Sequence, residues 1–297
     1  MGSRRTPPPI LVTGVPRSGT TWLARLLASS PRTSMPGREP MNPRGRQFRL
    51  AGHLDAWVRR EAFNADEAAV LRRCYSGREP RTFSRYGIRQ WAAPLGSTRI
   101  VIKDPFAVLS IAGIHAAVGV VPVLVYRHPG AVLASYRRMG WTADTEEFTA
   151  IGAPLPSGPG DLEGMVMMWK WCHQVALADL ARIDEGVVVS HHALTVGGVA
   201  AHRTLRSRLG LADPGDHEVA GGAAGDDERR EGVLHDFSRS SASVDSAWQK
   251  DLSPEEVAVI ESSVADVWQE LEARQITPPD APTSPTTEQP TIKKEST

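Results

Sequence analysis

"LVTGVPRSGTTWLARLL", residues 11–27, decides the fold. The apolar run that begins at Ile10 breaks at Gly14, and apolar residues return from Trp22 at helical spacing, which predicts a buried strand, a loop and a helix. Gly14 and Gly19 keep the spacing of the phosphate loop G-x-x-x-x-G-K-[ST]. Thr20, however, stands where the lysine belongs, and the cation, Arg17, has moved to the middle of the loop. Backbone N–H groups at a helix start have no partner within the helix, so a tight glycine turn there suits an anion. An unliganded strand-to-helix turn is the plainer alternative. It leaves unexplained the convergence of two glycines, two hydroxyls and an arginine on one helix start.

The same alternation returns along the chain. "RIVIKD" (99–104) precedes "AVLSIAGIHAAV", "VPVLVYR" (121–127) precedes "PGAVLASYRRM", and "GVVVSH" (186–191) precedes "VAAHRTLRSRLGL". Strands apolar throughout and separated by helices predict an α/β fold, a single domain with a central parallel sheet flanked by helices. Its expected bounds are 9–276, after a polar, proline-rich start at 1–8 and before a Pro/Thr/Ser-rich tail at 277–297 that reads as disordered. Residues 38–98 read as an arginine-rich insertion of helices and loops, with a helical pattern in "LDAWVRREAF", rather than another strand unit. The tetrapeptide GREP recurs at 37 and 77 in unlike flanks and is no repeat. "DLEGMVMMWKWCHQVALADLAR" (161–182) predicts a long helix with Met and Trp in the core, and 213–232 reads as a loop or flap. A last helix should start at Ser253 as N-cap, with Pro254 at its first position and Glu256 closing a capping box.

Composition narrows the function. The chain has 297 residues, with Lys plus Arg and Asp plus Glu each totalling 34, so no polybasic field marks a nucleic-acid binder. Cys74 and Cys172 are too few for a disulfide framework and lack metal or redox spacing. No run reaches the roughly eighteen apolar residues of a membrane span, and no signal peptide is evident, so a cytoplasmic protein is expected. "MGSRRT" fits a myristoylation pattern too short to carry weight.

At the loop, Arg17-Ser18-Gly19-Thr20-Thr21-Trp22 resembles the 5'-phosphosulfate loop, [KR]-S-G-T-T-W, of the sulfotransferases that use 3'-phosphoadenosine 5'-phosphosulfate (PAPS). The resemblance runs from about residue 10 to 275, omitting most of the insertion. In "VIKDPFAVLS" and "VLVYRHPGAVLASY" it is nearest to bacterial and Golgi carbohydrate-type enzymes. It implies a P-loop NTPase-like sulfotransferase fold. Arg17 would then sit over the oxygen bridging phosphate and sulfate, with Thr20 and Thr21 binding the 5'-phosphate, Trp22 stacked on adenine, and Ser18 and Gly19 part of the same cofactor-binding loop. No metal is expected. The family's 3'-phosphate motif pairs a strand-end arginine with a serine eight residues on, matched here by Arg127 and Ser135. A guanidinium fork and a hydroxyl suit a terminal phosphate. "FSRSSASVDSAWQKDLSPEE" (237–256) resembles the family's late segment and offers Arg239 and Ser241, although the spacing to Trp248 departs from the cytosolic R-K-G-x-x-G-D-W form. "SHHAL" (190–194) likewise replaces a common Y-E-D-L.

An attacking hydroxyl must lose its proton, so a base is required. Glu39, in "SMPGREPMNP", matches the E-P context of the carbohydrate-type relatives; its ordinary alternative is a loop glutamate paired with Arg38 or Arg44. His53 is the rival, because cytosolic relatives use a histidine, and Asp104 and His128 are further candidates. Lys103, at a strand end, would face the same crevice and help neutralise the sulfuryl oxygens. Between residues 38 and 99 arginines outnumber carboxylates about two to one, which points to a hydroxyl-bearing acceptor that carries negative charge, or to a solvated helix face. The rival functions are a small-molecule kinase using ATP and magnesium, disfavoured by the missing lysine, and a non-catalytic nucleotide binder.

Overall fold

The first strand, β1 (Ile10–Thr13), is buried along its whole length because strands flank it on both edges and helices cover both faces. The others are β2 (Thr33–Gly37), β3 (Phe83–Ile88), β4 (Arg99–Lys103), β5 (Val121–Tyr126) and β6 (Val187–Ser190). They form one sheet in the order β3-β2-β4-β1-β5-β6, parallel except for β3, which runs antiparallel to β2 at the edge. The computed structural model describes residues 7–45, 50, 54, 56–154, 161–214 and 247–276. The expectations at 1–6, His53, nearly all of 213–232, Arg239, Ser241 and 277–297 therefore lie outside the described residues.

Alternation within each strand explains the continuous apolar runs. Ile10, Val12, Val101, Val123 and Val125 point to one face, where α1 (Thr20–Ala28) packs through Leu23 and Leu27. On the same face, α7 (His191–Val196) and α8 (Gly198–Arg208) pack through Leu194 and Leu205. Leu11, Ile100 and Ile102 point to the other face, against α2 (Ala65–Tyr75) and α3 (Ile111–Val118). There Leu124 and Tyr126 join the packing of α4 (Pro129–Met139), α6 (Asp161–Leu180) and α9 (Pro254–Arg274). The capping box at Ser253 is present, with Pro254 in the first turn. A short helix, α5 (Thr145–Ala150), follows α4. No described helix is long and apolar enough to cross a membrane.

Two expectations are corrected. Residues 38–98 do supply a strand: β3 pairs Phe83 with Gly37 and Ile88 with Met35, across an irregularity where β2 carries Pro36. Proline lacks the N–H a regular ladder needs, which hides β2 in the sequence and confines the pairing to an edge. The "LDAWVRREAF" stretch is not helical in its described residues. Three of its polar groups find distant partners: Trp57 N pairs with Glu147, Trp57 Nε1 with the Phe106 carbonyl at 2.7 Å, and Arg60 N with Ser110 Oγ at 2.9 Å. Helix α2 starts only at Asn64, whose side chain and Glu67 form a capping box.

Candidate active site

All the parallel strands end on one edge of the sheet, and among the described residues the 17–22 loop, Glu39, Lys103 and Arg127 lie at those ends. Gly14 leaves β1 with φ 153, and a Cβ there would run into the Val125 carbonyl of β5, so only glycine lets the loop pass this close to its neighbour. Ser18 N donates to the Val15 carbonyl at 3.0 Å and closes the turn. Arg17 takes φ 74, a left-handed conformation costly for a residue with a Cβ. Gly19, at φ 91, is the N-cap of α1 and offers no side-chain cap; a Cβ on it would meet the His191 ring.

This loop can hold an anion. The first-turn amides of α1 precede the first intrahelical bond, from Leu23 N to the Gly19 carbonyl, and no side chain caps them. The hydroxyl of Ser18 is fully buried without a hydrogen-bond partner, a cost that a bound oxyanion would remove. Both features fit a phosphate or phosphosulfate group. Trp22 is half-buried, its ring 5.5 Å from His191 and 5.6 Å from His202.

The second motif meets the first. Arg17 Nε donates to Ser135 Oγ at 2.9 Å, and Arg127 Nη1 donates to the Arg17 carbonyl at 3.5 Å. Arg127 and Ser135 are themselves buried, and the Arg127 carbonyl accepts from Trp169 Nε1 at 3.1 Å. The Arg17 guanidinium lies 5.9 Å from the centroid of the Trp141 ring, within reach of a cation–π attraction. Burial holds the Arg17 pKa below its ordinary value, with a further lowering from Arg138 opposed by Tyr136. Trp141 was invisible in the sequence because its role depends on the α4 C-terminal turn at Gly140 folding it back onto the loop.

On the β4 side, Glu39 and Lys103 form an ion pair. The other carboxylate oxygen of Glu39 accepts from Asn42 Nδ2 at 2.5 Å. The alternative partners are engaged elsewhere: Arg38 Nη1 donates to the Arg81 carbonyl at 2.9 Å, and Arg44 pairs with Glu147 at 2.9 Å. Asn42 lies three residues after Glu39, a turn spacing from which its contact was readable.

Two other candidates are placed differently. Asp104 is fully buried, and its oxygens accept from Met41 N at 2.5 Å and Phe106 N at 3.1 Å. Burial foremost, then the Glu39 charge, pushes its pKa well up. His128 caps α4 by accepting from Gly130 N at 3.2 Å and stacks on Trp248, ring centroids 4.4 Å apart. Much of the arginine excess is neutralised locally, by Glu79, Glu67, Glu61 and Glu147.

A family model described as the sulfotransferase family matches residues 8–203. No curated protein matches the chain. The solved structure of sulfotransferase STF1 from Mycobacterium tuberculosis H37Rv aligns with a TM-score of 0.46 at 18% identity, covering 87% of this chain and 76% of that one.

Proposed function

The chain belongs to the sulfotransferase family, and from that premise we propose that it moves a sulfuryl group from PAPS to a hydroxyl of a carbohydrate or other small-molecule acceptor. The observation that carries this reading is the bond from Arg17 to Ser135, which joins the anion loop of β1–α1 to the strand-end motif of β5–α4. One phosphate at the loop and a second at Arg127 and Ser135 describe a nucleotide substituted at both the 5' and 3' positions. When bound, the donor supplies an activated sulfuryl group. Arg17 places a fixed positive charge where the leaving oxygen would gain its charge, which favours the transition state over the ground state. Glu39 takes the acceptor proton, and Lys103, paired with it, keeps that carboxylate in place and lends positive charge to the same crevice.

The kinase reading needs a strand-end aspartate open to magnesium, whereas Asp104 is fully buried and both its oxygens accept from backbone amides. Calorimetry tests the donor. Adenosine 3',5'-bisphosphate should bind far more tightly than 5'-AMP or magnesium-ATP, and equal affinities would refute the assignment. Incubating the protein with labelled PAPS and a small-molecule extract should then place label in a hydroxyl-bearing product. A protein that binds the bisphosphate but labels nothing would be a nucleotide binder.

A further inference from the structure

We propose that Asp104 is the positioning residue for Glu39, a buried clamp that fixes the loop carrying the base against the end of β4. Lys103 and Asp104 are adjacent, and they grip the 39–42 turn in different ways. Lys103 holds the Glu39 side chain, whereas Asp104 holds the backbone at Met41 N, two residues further on. The second oxygen of Asp104 caps the 3-10 turn Pro105–Leu109 through Phe106 N, and Asp104 N donates to the Val12 carbonyl of β1 at 2.9 Å. One residue thus ties the base-bearing turn to the strand from which the anion loop departs. Pro40 and Pro43 stiffen the segment, and Asn42 N closes the turn on the Glu39 carbonyl at 3.3 Å. Displacing a catalytic group by about an ångström costs up to about a hundredfold in rate, so a rigid anchor here has a kinetic consequence.

The inference rests on the reading of Glu39 as the base. Asp104→Asn keeps the volume, but its amide nitrogen cannot accept a hydrogen bond, so one of the two contacts is lost. Asp104→Ser keeps a cap for Phe106 N but is too short to reach Met41 N. Whichever variant folds by circular dichroism serves the test; both are expected to. At saturating labelled PAPS, transfer into the extract should fall about tenfold or more, while affinity for adenosine 3',5'-bisphosphate stays unchanged. Amide exchange should quicken in residues 38–45 and not in 14–23. In a Glu39→Gln background the same change should cost nothing further, because Asp104 acts only through Glu39. Full rate in the single variants, or an equal loss in both backgrounds, overturns the clamp and leaves the base standing. Full rate in Glu39→Gln itself overturns the base reading and removes the inference with it.

Discussion

On the β5 side of β1, the groups proposed to meet an anion are set by backbone: two glycines that alone fit their positions, an uncapped helix start and a strand-end arginine whose carbonyl is tied to Trp169. On the β4 side, the parallel pairing of β2 with β4 brings Glu39 near Lys103 across 64 positions of sequence, the final contact is a side-chain ion pair, and the stretch between them crosses β3 and α2. Backbone geometry is written locally, as Gly-x-x-x-x-Gly or Arg followed eight residues on by Ser. The choice of an ion-pair partner is not, since Arg38, Arg44 and Lys103 are all chemically suitable for Glu39. On the first side a short motif names the contacts as well as the residues; on the second the sequence names Glu39 and Lys103 but not that they pair.

The largest effect should come from the side that is set by backbone. Arg17→Ala is expected to slow transfer by about a hundred- to a thousandfold at saturating PAPS, because the charge it faces grows only as the bond breaks. Arg17→Lys should recover much of that rate. Normal turnover in both variants would show that the loop is not the sulfuryl site and would dissolve the contrast between the two halves. Next, Glu39→Gln should cost about a hundredfold with cofactor affinity intact, the lower end of general-base contributions. His53→Ala is the control: if it loses the rate while Glu39→Gln keeps it, the base lies outside the β2–β4 cluster.

A third measurement sharpens the division of labour within the donor side. Arg127→Ala should erase much of the preference for adenosine 3',5'-bisphosphate over 5'-AMP. Hydrogen bonds to charged groups contribute about 1.5 to 3 kcal/mol, which corresponds to about ten- to a hundredfold in the affinity ratio. Calorimetry that finds the ratio unchanged would move the 3'-phosphate elsewhere.

The same division explains what was legible in the sequence. β1, β4, β5 and β6 were read directly because burial on both faces demands unbroken apolar runs. β2 and β3 were missed because Pro36 interrupts one and the other, "FSRYGI", has an exposed middle on an edge. The "LDAWVRREAF" stretch has helical spacing, yet Glu147 and Ser110, both distant in sequence, satisfy its backbone instead. In the candidate site, Arg17, Arg127, Ser135, Glu39 and Lys103 were named from motifs. Asp104 was named only as a further candidate for the base, because burial and backbone partners cannot be seen in a tripeptide such as Lys-Asp-Pro.

The smallest expected effect on rate separates arginines that hold the fold from those that serve the site. Glu79 is buried and receives Arg81 Nε at 2.7 Å, Arg81 Nη2 at 3.0 Å and Arg73 Nε at 3.3 Å, at the start of β3. These bonds, Arg81 foremost and opposed by burial, hold its pKa down at about 2. A folded pKa below the unfolded one means that the ionised group stabilises the protein above the ordinary carboxylate range and that this contribution fades as pH falls toward about 2. Both arginines are about half exposed, so solvent screening limits the contribution to about 1 kcal/mol, or about 2 to 4 °C in Tm for a domain of this size. Glu79→Gln should therefore melt a few degrees lower at pH 7, with the gap to the unmutated protein closing in acid, and should transfer label from PAPS at an unchanged rate. A loss of rate with Tm preserved would instead place Arg73 and Arg81 against the acceptor, and the arginine-rich segment would then join the β4 side of the site as part of its recognition surface.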